Sequence, residues 1–260
     1  MIDPKKHGPW AVITGASAGL GEEFARQLAP LGLNLYLVAR RLDRLETLAD
    51  QMRKAYGIEV QCLGLDLSAE GSDALLDERT AKLDVGLLVD NAGFGAMGRF
   101  LEQDRERLAQ MIKLNCLAAM LLAHRFGNRL AARGRGGLII VASLAGFQAT
   151  PHMACYGATK GFDLLLGEGI AEEMRHTGVD VLVLNPGSTS TEFGEVAGSR
   201  GGGGMRADVV VAAALRGLGR RSSVVTGLHN KVVTLLIRLF PRSFVTRMSG
   251  LTLKRMLPRD

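Results

Sequence analysis

Residues 10–21, WAVITGASAGLG, decide the fold of this chain. An apolar run at 11–14 predicts a β-strand, and it passes into a loop with glycines at 15, 19 and 21 and then into a helical pattern. Glycine permits a sharp turn and a close approach of backbone to a pyrophosphate, and the free N–H groups of a helix N-terminus attract that anion. The stretch therefore predicts a dinucleotide-binding loop. Its predicted cofactor contacts are Gly15, Ser17, Ala18, Gly19, Leu20 and Gly21.

Strand and helix patterns alternate along the rest of the chain. Further strands are predicted at 33–39, 59–65, 85–89, 138–142, 179–184 and 222–227, and helices at 21–31, 42–56, 101–133, 154–176 and 206–218. Several strands are continuously apolar, which is typical of a parallel sheet covered by helices on both faces. The sequence thus predicts an α/β fold: a doubly wound, Rossmann-type parallel sheet whose ligand crevice lies at the carboxyl ends of the strands. Gly32, Gly57 and Gly178 are predicted to cap helices.

The C-terminal fifth of the chain differs in charge from the rest. Residues 206–260 contain 11 of the 32 Lys/Arg residues and only 2 of the 26 Asp/Glu residues. Apolar residues at helical spacing predict a basic, apolar helical extension at 228–260 that packs on the domain or on a second subunit. Peripheral contact with an anionic membrane surface is the less favoured alternative. The glycine-rich segment 195–205 is either a lid on the substrate side or a surface loop without a role.

Composition limits the class of protein. Three cysteines (62, 116 and 155) match neither a zinc site nor a disulfide framework, so we expect no metal and a reducing, cytoplasmic setting. The N-terminus has no apolar run of signal-peptide length, and no uninterrupted apolar segment reaches the ~18 residues that span a bilayer. No nucleic-acid recognition motif is present. We expect a single domain over 1–260, with its core at 10–227.

Arginines at the end of the second predicted strand favour NADP(H) over NAD(H). Dinucleotide folds usually place a carboxylate there to bind the ribose 2′-hydroxyl, but this chain has Arg40 and Arg41, which can bind a 2′-phosphate. The alternative is that both arginines simply begin a solvated helix. Asp66 and Leu67 end the third strand, where they can contact adenine. Asn91, Ala92 and Gly93 end the fourth, beside the cofactor ribose.

Tyr156 and Lys160 are the candidate proton donor and its partner. They lie four residues apart in a predicted helix and so share one face, with Cβ atoms ~5–6 Å apart. Hydride transfer to a ketone develops negative charge on oxygen, which requires a proton and hydrogen-bond donors. An adjacent ammonium favours the phenolate form of a tyrosine. Ser143 ends the fifth strand at the same crevice and is expected to orient the substrate oxygen.

The glycine loop, the Asn-Ala-Gly segment, the serine, the YxxxK pair and the following Pro-Gly resemble the short-chain dehydrogenase/reductase family in order and spacing, over about residues 10–195. The resemblance implies that Asn115 is a fourth catalytic residue that holds Lys160 and a proton-relay water. It also implies that Lys160 contacts the nicotinamide ribose, and Tyr156 is a further predicted cofactor contact. Asp90 departs from the family, which often has a second asparagine there. Further cofactor contacts implied by the resemblance are Pro186, Gly187, Thr189 and Thr191.

The predicted activity is hydride transfer between NADP(H) and the carbonyl or secondary alcohol of a hydrophobic ketone, 3-oxoacyl or steroid-like substrate. The apolar residues expected near the catalytic centre are Leu144, Phe147, Met153 and Phe193, with His152 in the same loop. An NADP(H)-binding sensor and a membrane-associated interaction protein are the alternatives. The family resemblance implies a homodimer or homotetramer built through the helices that carry Asn115 and Tyr156.

Overall fold

The computed structural model describes residues 2–198, 204–255 and 257. Within them, seven strands form one parallel sheet in the order β3-β2-β1-β4-β5-β6-β7. The strands are β1 Trp10–Thr14, β2 Asn34–Ala39, β3 Val60–Gly64, β4 Val85–Asp90, β5 Gly136–Val141, β6 Val179–Asn185 and β7 Ser223–Val225. The strand order reverses at β1, which pairs with both β2 and β4. The predicted doubly wound, Rossmann-type sheet is therefore confirmed.

Helices cover both faces of the sheet. They are α1 Pro4–His7, α2 Gly19–Leu28, α3 Leu42–Tyr56, α4 Ser72–Thr80, α5 Arg105–Ile112, α6 Ala119–Arg133, α7 Ala154–Glu173, α8 Phe193–Val196, α9 Ala207–Gly217, α10 Leu228–Leu236 and α11 Arg242–Lys254. Short 3₁₀ turns occur at Ala29–Leu31, Phe100–Glu102 and Leu144–Phe147, and a π-helical segment at Lys113–Ala118.

Alternation along the strands builds two apolar cores. Ala11 and Ile13 of β1 face the core shared with α2, α3 and α9, whereas Trp10 and Val12 face the core shared with α4, α6 and α7. Successive strand side chains point to opposite faces, so a strand covered on both sides must be apolar throughout. Every residue of β1, β4 and β5 is buried accordingly.

Two of the three predicted capping glycines are confirmed. Gly57 is the C-cap of α3, and Gly32 caps the 3₁₀ turn that follows α2. Gly178 was predicted to cap a helix as well, but α7 ends at Glu173, and Gly178 lies in the turn directly before β6. All three have positive φ values, at 80°, 65° and 81° for Gly32, Gly57 and Gly178, a left-handed backbone that glycine adopts without the steric cost that a Cβ would add.

One long helical region was predicted almost correctly, and one helix was missed. The predicted region at 101–133 is helical without a break over 105–133, where the π-helical segment joins α5 to α6. Helix α4 was not predicted, because its buried positions include the polar residues Ser72 and Asp73. Its contacts come from far along the chain: Asp73 pairs with Arg125 of α6, and Asp77 lies 2.9 Å from Arg129 of the same helix.

The C-terminal extension forms α10 and α11, which lie at the carboxyl edge of the sheet. Leu228 begins α10 directly after β7, and the backbone of Gly187, beyond β6, lies against Asn230 of α10. Across its described residues, the chain has no helix long and apolar enough to cross a membrane. Residues 199–203 of the predicted lid, and the last residues of the predicted extension (256 and 258–260), lie outside the described residues.

Candidate active site

A cavity of about 1410 Å³ lies at the carboxyl edge of the sheet, where the strand order reverses. It extends from the glycine loop to the C-terminal helices. Of the predicted site residues, all but Gly21 and Asn115 line it. Those lining it are Gly15, Ser17, Ala18, Gly19, Leu20, Arg40, Arg41, Asp66, Leu67, Asn91, Ala92, Gly93, Ser143, Tyr156, Lys160, Pro186, Gly187, Thr189 and Thr191.

The loop after β1 has the geometry that a pyrophosphate requires. Gly15 and Gly19 have φ values of 66° and 58°, and α2 begins at Gly19 with its N-terminus at the cavity. Gly21 does not line the cavity. It packs directly against the glycine loop, since a Cβ at this position would lie 2.3 Å from the carbonyl oxygen of Gly15. A larger residue at 21 would displace the loop. These features fit a nicotinamide dinucleotide.

Thr14 and Asn91 join the ends of β1 and β4. The Thr14 hydroxyl accepts hydrogen bonds from the backbone N–H groups of Asn91 and Ala92, both at 2.9 Å. The Asn91 side chain donates to the Thr14 carbonyl at 2.9 Å. Asn91 thus holds the glycine loop and the β4 end in register, beside the cavity that both line.

Asp90, the departure from the family pattern, is a buried acid beside this joint. Its Oδ1 accepts a hydrogen bond from Thr14 at 3.2 Å, whereas its Oδ2 has no partner among the described residues. Burial, reinforced by the nearby carboxylate of Asp163, raises the pKa of Asp90 to about 7.

Beyond β2, Arg40 and Arg41 differ in the contacts that they make. Arg40 is exposed at the cavity edge. Arg41 donates to the Ser17 hydroxyl at 3.2 Å and lies 3.1 Å from Glu192, which also pairs with Arg44 at 2.6 Å. Glu192 was not predicted, because it follows β6 and is 151 residues from Arg41. Its pKa is lowered by the hydrogen bonds from Arg44 and Arg41, so it carries a negative charge at neutral pH.

Tyr156 and Lys160 lie on the buried face of α7, as their spacing predicted. Burial raises the pKa of Tyr156, and this effect outweighs the opposing effects of Lys160 and of a hydrogen bond with Ser143. In the protein alone, therefore, Tyr156 is a phenol rather than the phenolate that an adjacent ammonium favours. A phenol is the form that can donate a proton.

Lys160 is fixed by two hydrogen bonds. Its Nζ donates to the Val141 carbonyl at 2.7 Å and to Asp163 Oδ2 at 2.9 Å. Burial alone would lower the pKa of Lys160, but the charge and hydrogen bond of Asp163, together with the charges of Tyr156 and Asp90, outweigh burial and raise it, so the side chain stays cationic. Asp163 is only 2% exposed. Sequence analysis did not single it out, because a carboxylate three residues after a lysine is ordinary on a helix surface.

Asn115 lies in the π-helical segment, and such segments often mark functional sites. Its amide donates to the Phe94 carbonyl at 2.9 Å and to the Thr159 hydroxyl at 3.1 Å, and its oxygen accepts from the Phe94 N–H. It therefore joins the β4 loop to α7. Asn115 and Lys160 both lie against Gly93, where a Cβ would be 3.1 and 3.5 Å from their polar atoms.

The segment after β6 closes over the glycine loop. Thr191 packs on Gly19, since a Cβ at Gly19 would lie 3.2 Å from Thr191. The hydroxyl of Thr189 instead donates to the Gly187 carbonyl at 3.1 Å. The ring of Phe193 lies 5.3 Å from that of Tyr156, measured between centroids. The segment thus contacts both ends of the cavity.

Apolar side chains line the part of the cavity beyond Tyr156. Leu144, Met153 and Phe193 were predicted there and line it, as do residues of the C-terminal helices. Phe147 and His152 do not line it: Phe147 packs against a small buried cluster that includes Leu164. The cavity-lining residues of the C-terminal helices include Val233, Ile237, Phe240, Phe244, Val245 and Met248.

The thiols take no part in this chemistry. Burial raises the pKa of Cys62 to about 12 and that of Cys116 to about 11, and it also raises that of Cys155. All three are neutral thiols at physiological pH, and thiolate reactivity is not expected of them.

Comparison with known proteins agrees with this geometry. The family model "short chain dehydrogenase" matches residues 9–200, and the chain belongs to that family of hydride-transferring, nicotinamide-dependent oxidoreductases. A very-long-chain 3-oxoacyl-CoA reductase of Podospora anserina is 39% identical over 183 residues, which cover 68% of this chain and 53% of that protein.

Two solved structures extend the similarity to nearly the whole chain. One, described in a study of 7beta-hydroxysteroid dehydrogenase stereoselectivity, has a TM-score of 0.88 and 30% identity, covering 96% of this chain and 99% of that one. The other is a short-chain dehydrogenase from Sphingobium yanoikuyae in complex with NADPH, with a TM-score of 0.79 and 32% identity, covering 90% and 97% of the two chains.

Proposed function

We propose that this protein transfers hydride between NADP(H) and the carbonyl or secondary alcohol carbon of a hydrophobic substrate. The observation that carries the proposal is the position of Tyr156. Ser143, which lowers the pKa of the Tyr156 phenol, and the charged neighbour Lys160 line the same cavity, which runs from a dinucleotide loop on one side to an apolar wall on the other. Reduction of an apolar ketone needs both the dinucleotide-binding side and the apolar side of this cavity.

The coenzyme supplies hydride when it is bound; the protein positions the substrate and moves the proton. Tyr156, a phenol in its buried setting, donates its proton to the substrate oxygen as negative charge develops there. Ser143 donates a hydrogen bond to the same oxygen and orients the carbonyl. Lys160 keeps a positive charge beside the phenol and so stabilises the phenolate that remains.

Asn115 acts through position rather than by contact with the substrate. It holds the β4 loop against α7, and thereby fixes Gly93 beside Lys160. In the reverse direction, with NADP⁺ bound, Tyr156 in its phenolate form removes the proton from a secondary alcohol.

The preference for NADP(H) rests on charge. No carboxylate ends β2 to repel a 2′-phosphate, and exposed Arg40 lies at the cavity edge, where it can bind that group. Arg41 and Ser17 support it from the same side. The NADPH bound to the Sphingobium relative is consistent with this assignment. The remaining proposed contacts are the glycine loop, Asp66 and Leu67 at the adenine, Asn91 to Gly93 at the ribose, and Pro186, Gly187, Thr189 and Thr191 at the carboxamide.

The substrate class follows from the wall beyond Tyr156. Leu144, Met153 and Phe193 form it with the C-terminal helices, and few charged side chains lie on that side of the cavity. A bulky ketone, a 3-oxoacyl chain or a steroid-like alcohol fits such a wall better than a sugar. The named activities of the relatives, a 3-oxoacyl-CoA reductase and a hydroxysteroid dehydrogenase, fall in the same class.

NADPH oxidation with a panel of hydrophobic carbonyl compounds tests the proposal. Tyr156→Phe removes only the proton donor, and we expect it to lose at least ~10²-fold in kcat/KM. Tyr56→Phe is the matched control, because Tyr56 is exposed at the end of α3, and it should keep the wild-type rate. Equal rates for Tyr156→Phe and the control would overturn the mechanism. Tight NADPH binding without turnover across the panel would favour a coenzyme sensor instead.

We propose that residues 1–260 act as one domain, in the cytoplasm. We also propose a homodimer or homotetramer built through the helices that carry Asn115 and Tyr156. Large apolar side chains are exposed on those helices at Ile112, Leu117, Phe162 and Leu165, where a second subunit would cover them.

A further inference from the structure

Helix α10 turns an apolar stripe toward solvent. Leu228, Val232, Leu235 and Leu239 are 46–79% exposed, and their spacing of three or four residues places them on one side of the helix and its C-terminal turn. A helix that packs only on its own domain would bury such a stripe. Here the buried side belongs to other residues, such as Thr234.

Helix α11 continues the exposed apolar surface. Phe244, Met248 and Leu251 are each about half exposed and again lie three or four residues apart. The rings of Phe240 and Phe244 lie 5.4 Å apart between centroids, which joins the two stripes across the Ile237–Pro241 turn. We call this surface the tail face. Its residues are Leu228, Val232, Leu235, Leu236, Leu239, Phe240, Phe244, Met248 and Leu251.

Positive charge borders the tail face, and its own segment supplies no negative charge. Residues 228–257 contain six Lys/Arg residues and no Asp or Glu. All six basic side chains are exposed. Lys231 and Arg238 are seven residues apart and so flank the α10 stripe on one side, and Arg247 and Lys254 have the same relation to the α11 stripe. The remaining two are Arg242 and Arg255.

The mouth of the cavity opens on this surface. Leu236, Phe240, Phe244 and Met248 are exposed residues of the tail face, and the same four line the cavity. The apolar wall of the substrate side is therefore continuous with the apolar surface outside.

We propose that the tail face binds the surface of an anionic lipid bilayer, with the cavity mouth turned toward the lipid. An apolar stripe with flanking cations is the arrangement by which an interfacial helix inserts between headgroups while its charges attract anionic lipid. A second copy of this chain is a poorer occupant, because face-to-face pairing would bring together two segments that each carry six cations and no Asp or Glu of their own. Membrane binding is inferred from the apolar stripe and its flanking cations alone. Delivery of a lipid-dissolved substrate into the cavity would rest on the proposed function.

Vesicle co-sedimentation of the full-length protein tests the proposal. Vesicles of phosphatidylglycerol and phosphatidylcholine are compared with vesicles of phosphatidylcholine alone, at low and at physiological salt. We expect wild-type protein to sediment with the anionic vesicles only, and salt to weaken this without abolishing it. The double variant Leu235→Glu/Leu239→Glu should partition at least ~10-fold less, since two inserted apolar groups become anions.

The matched control is Leu31→Glu/Leu101→Glu, which makes the same charge change at two exposed leucines outside the tail. It should bind like wild type. Unchanged NADPH binding and thermal midpoint show that each variant is folded. The proposal is overturned if wild-type protein does not bind anionic vesicles, or if it binds vesicles of phosphatidylcholine alone as well as it binds anionic vesicles. It is overturned too if both double variants lose vesicle binding to the same extent. It is also overturned if light scattering shows that only the tail variant dissociates an oligomer while no protein binds vesicles.

Discussion

Two buried acids set the electrostatics around Lys160. Asp163 pairs with it at 2.9 Å, and Asp90 lies near enough for the two carboxylates to influence one another. Asp90 Oδ2 and Asp163 Oδ1 have no hydrogen-bond partner within the part of the chain that the structure describes. Burial raises the pKa of both carboxyl groups, and the charge of Asp163 raises that of Asp90 further, to about 7.

Replacing Asp90 should stabilise the protein in a pH-dependent way. Its folded pKa of about 7 lies above the unfolded value of 3.8. The native state therefore holds a proton that the unfolded chain has lost, and stability falls as the pH rises from about 4 to about 7. Asp90→Asn keeps an acceptor for Thr14 and removes this loss. We expect a gain in unfolding free energy of up to ~4 kcal/mol at pH 8, taking ~1.4 kcal/mol for each tenfold change in proton affinity, and a small gain at pH 4.5.

Urea unfolding at the two pH values measures this gain. Asp43→Asn, on the first turn of α3, is a control in which the carboxylate is exposed. An equal gain for Asp90→Asn at both pH values, or none, would contradict the buried-acid account.

Removing the charge of Asp163 should shift the pH profile of catalysis. Asp163 raises the pKa of Tyr156, so Asp163→Asn lowers it. Reduction needs the phenol, and we therefore expect kcat/KM for ketone reduction to fall at a lower pH than in the wild type. Profiles of kcat/KM that extend from pH 7 to pH 11 measure the shift. Glu168→Gln, exposed on the same helix, is the control. A uniform loss of activity without a shift would mean that Asp163 is only structural.

At the scale of elements, Glu192 links the segment after β6 to α3. Its ion pairs with Arg41 and Arg44 cross the cavity from one wall to the other. The carboxylate thus occupies arginines that a 2′-phosphate would also attract.

Glu192→Gln should free both arginines and tighten NADPH binding more than NADH binding. We expect about a tenfold lower Kd for NADPH, equivalent to ~1.4 kcal/mol, and little change for NADH. Fluorescence titration measures both constants. Glu46→Gln removes another exposed carboxylate near an arginine of α3 and serves as the control. Weaker NADPH binding in Glu192→Gln would show that Glu192 holds the arginines in place for the cofactor instead of competing with it.

Some of these elements are marked by local sequence patterns, and others depend on residues far along the chain. Apolar strands, the glycine loop and the Tyr156–Lys160 spacing are local patterns, and they correctly predicted the sheet; most of the predicted site residues also line the cavity. Helix α4 and Glu192 depend on partners far along the chain, so no local pattern marks them. The π-helical segment keeps helical periodicity on both sides, and the sequence at 101–133 therefore looks continuous. Asn115 was found only through the family resemblance.

For the whole molecule, the exposed apolar side chains of the described residues include those of the tail face and those of α7. The segment that forms the tail face, 228–257, carries six Lys/Arg residues and no Asp or Glu. Exposed Leu165 and Phe162 lie on α7, which packs beside α5. The α7 surface is the one proposed to pair with a second subunit.

Leu165→Glu should therefore dissociate the oligomer. Leu165 is 72% exposed, and a buried glutamate at a subunit contact would lack a partner. Light scattering coupled to gel filtration should show a mass near 28 kDa for the variant and a multiple of 27.8 kDa for the wild type. Leu31→Glu, away from these helices, should keep the wild-type mass. A wild-type monomer, or an oligomer unaffected by Leu165→Glu, would contradict the assigned surface.

The most direct test of the central claim is the ratio of kcat/KM for NADPH to that for NADH, measured with one hydrophobic ketone in the wild type and in Arg40→Asp. We predict a wild-type ratio of at least ~10, or ~1.4 kcal/mol, which the substitution abolishes. A ratio near one in the wild type would contradict the NADP(H) assignment. Oxidation of neither coenzyme with any hydrophobic carbonyl would contradict the proposed reaction itself.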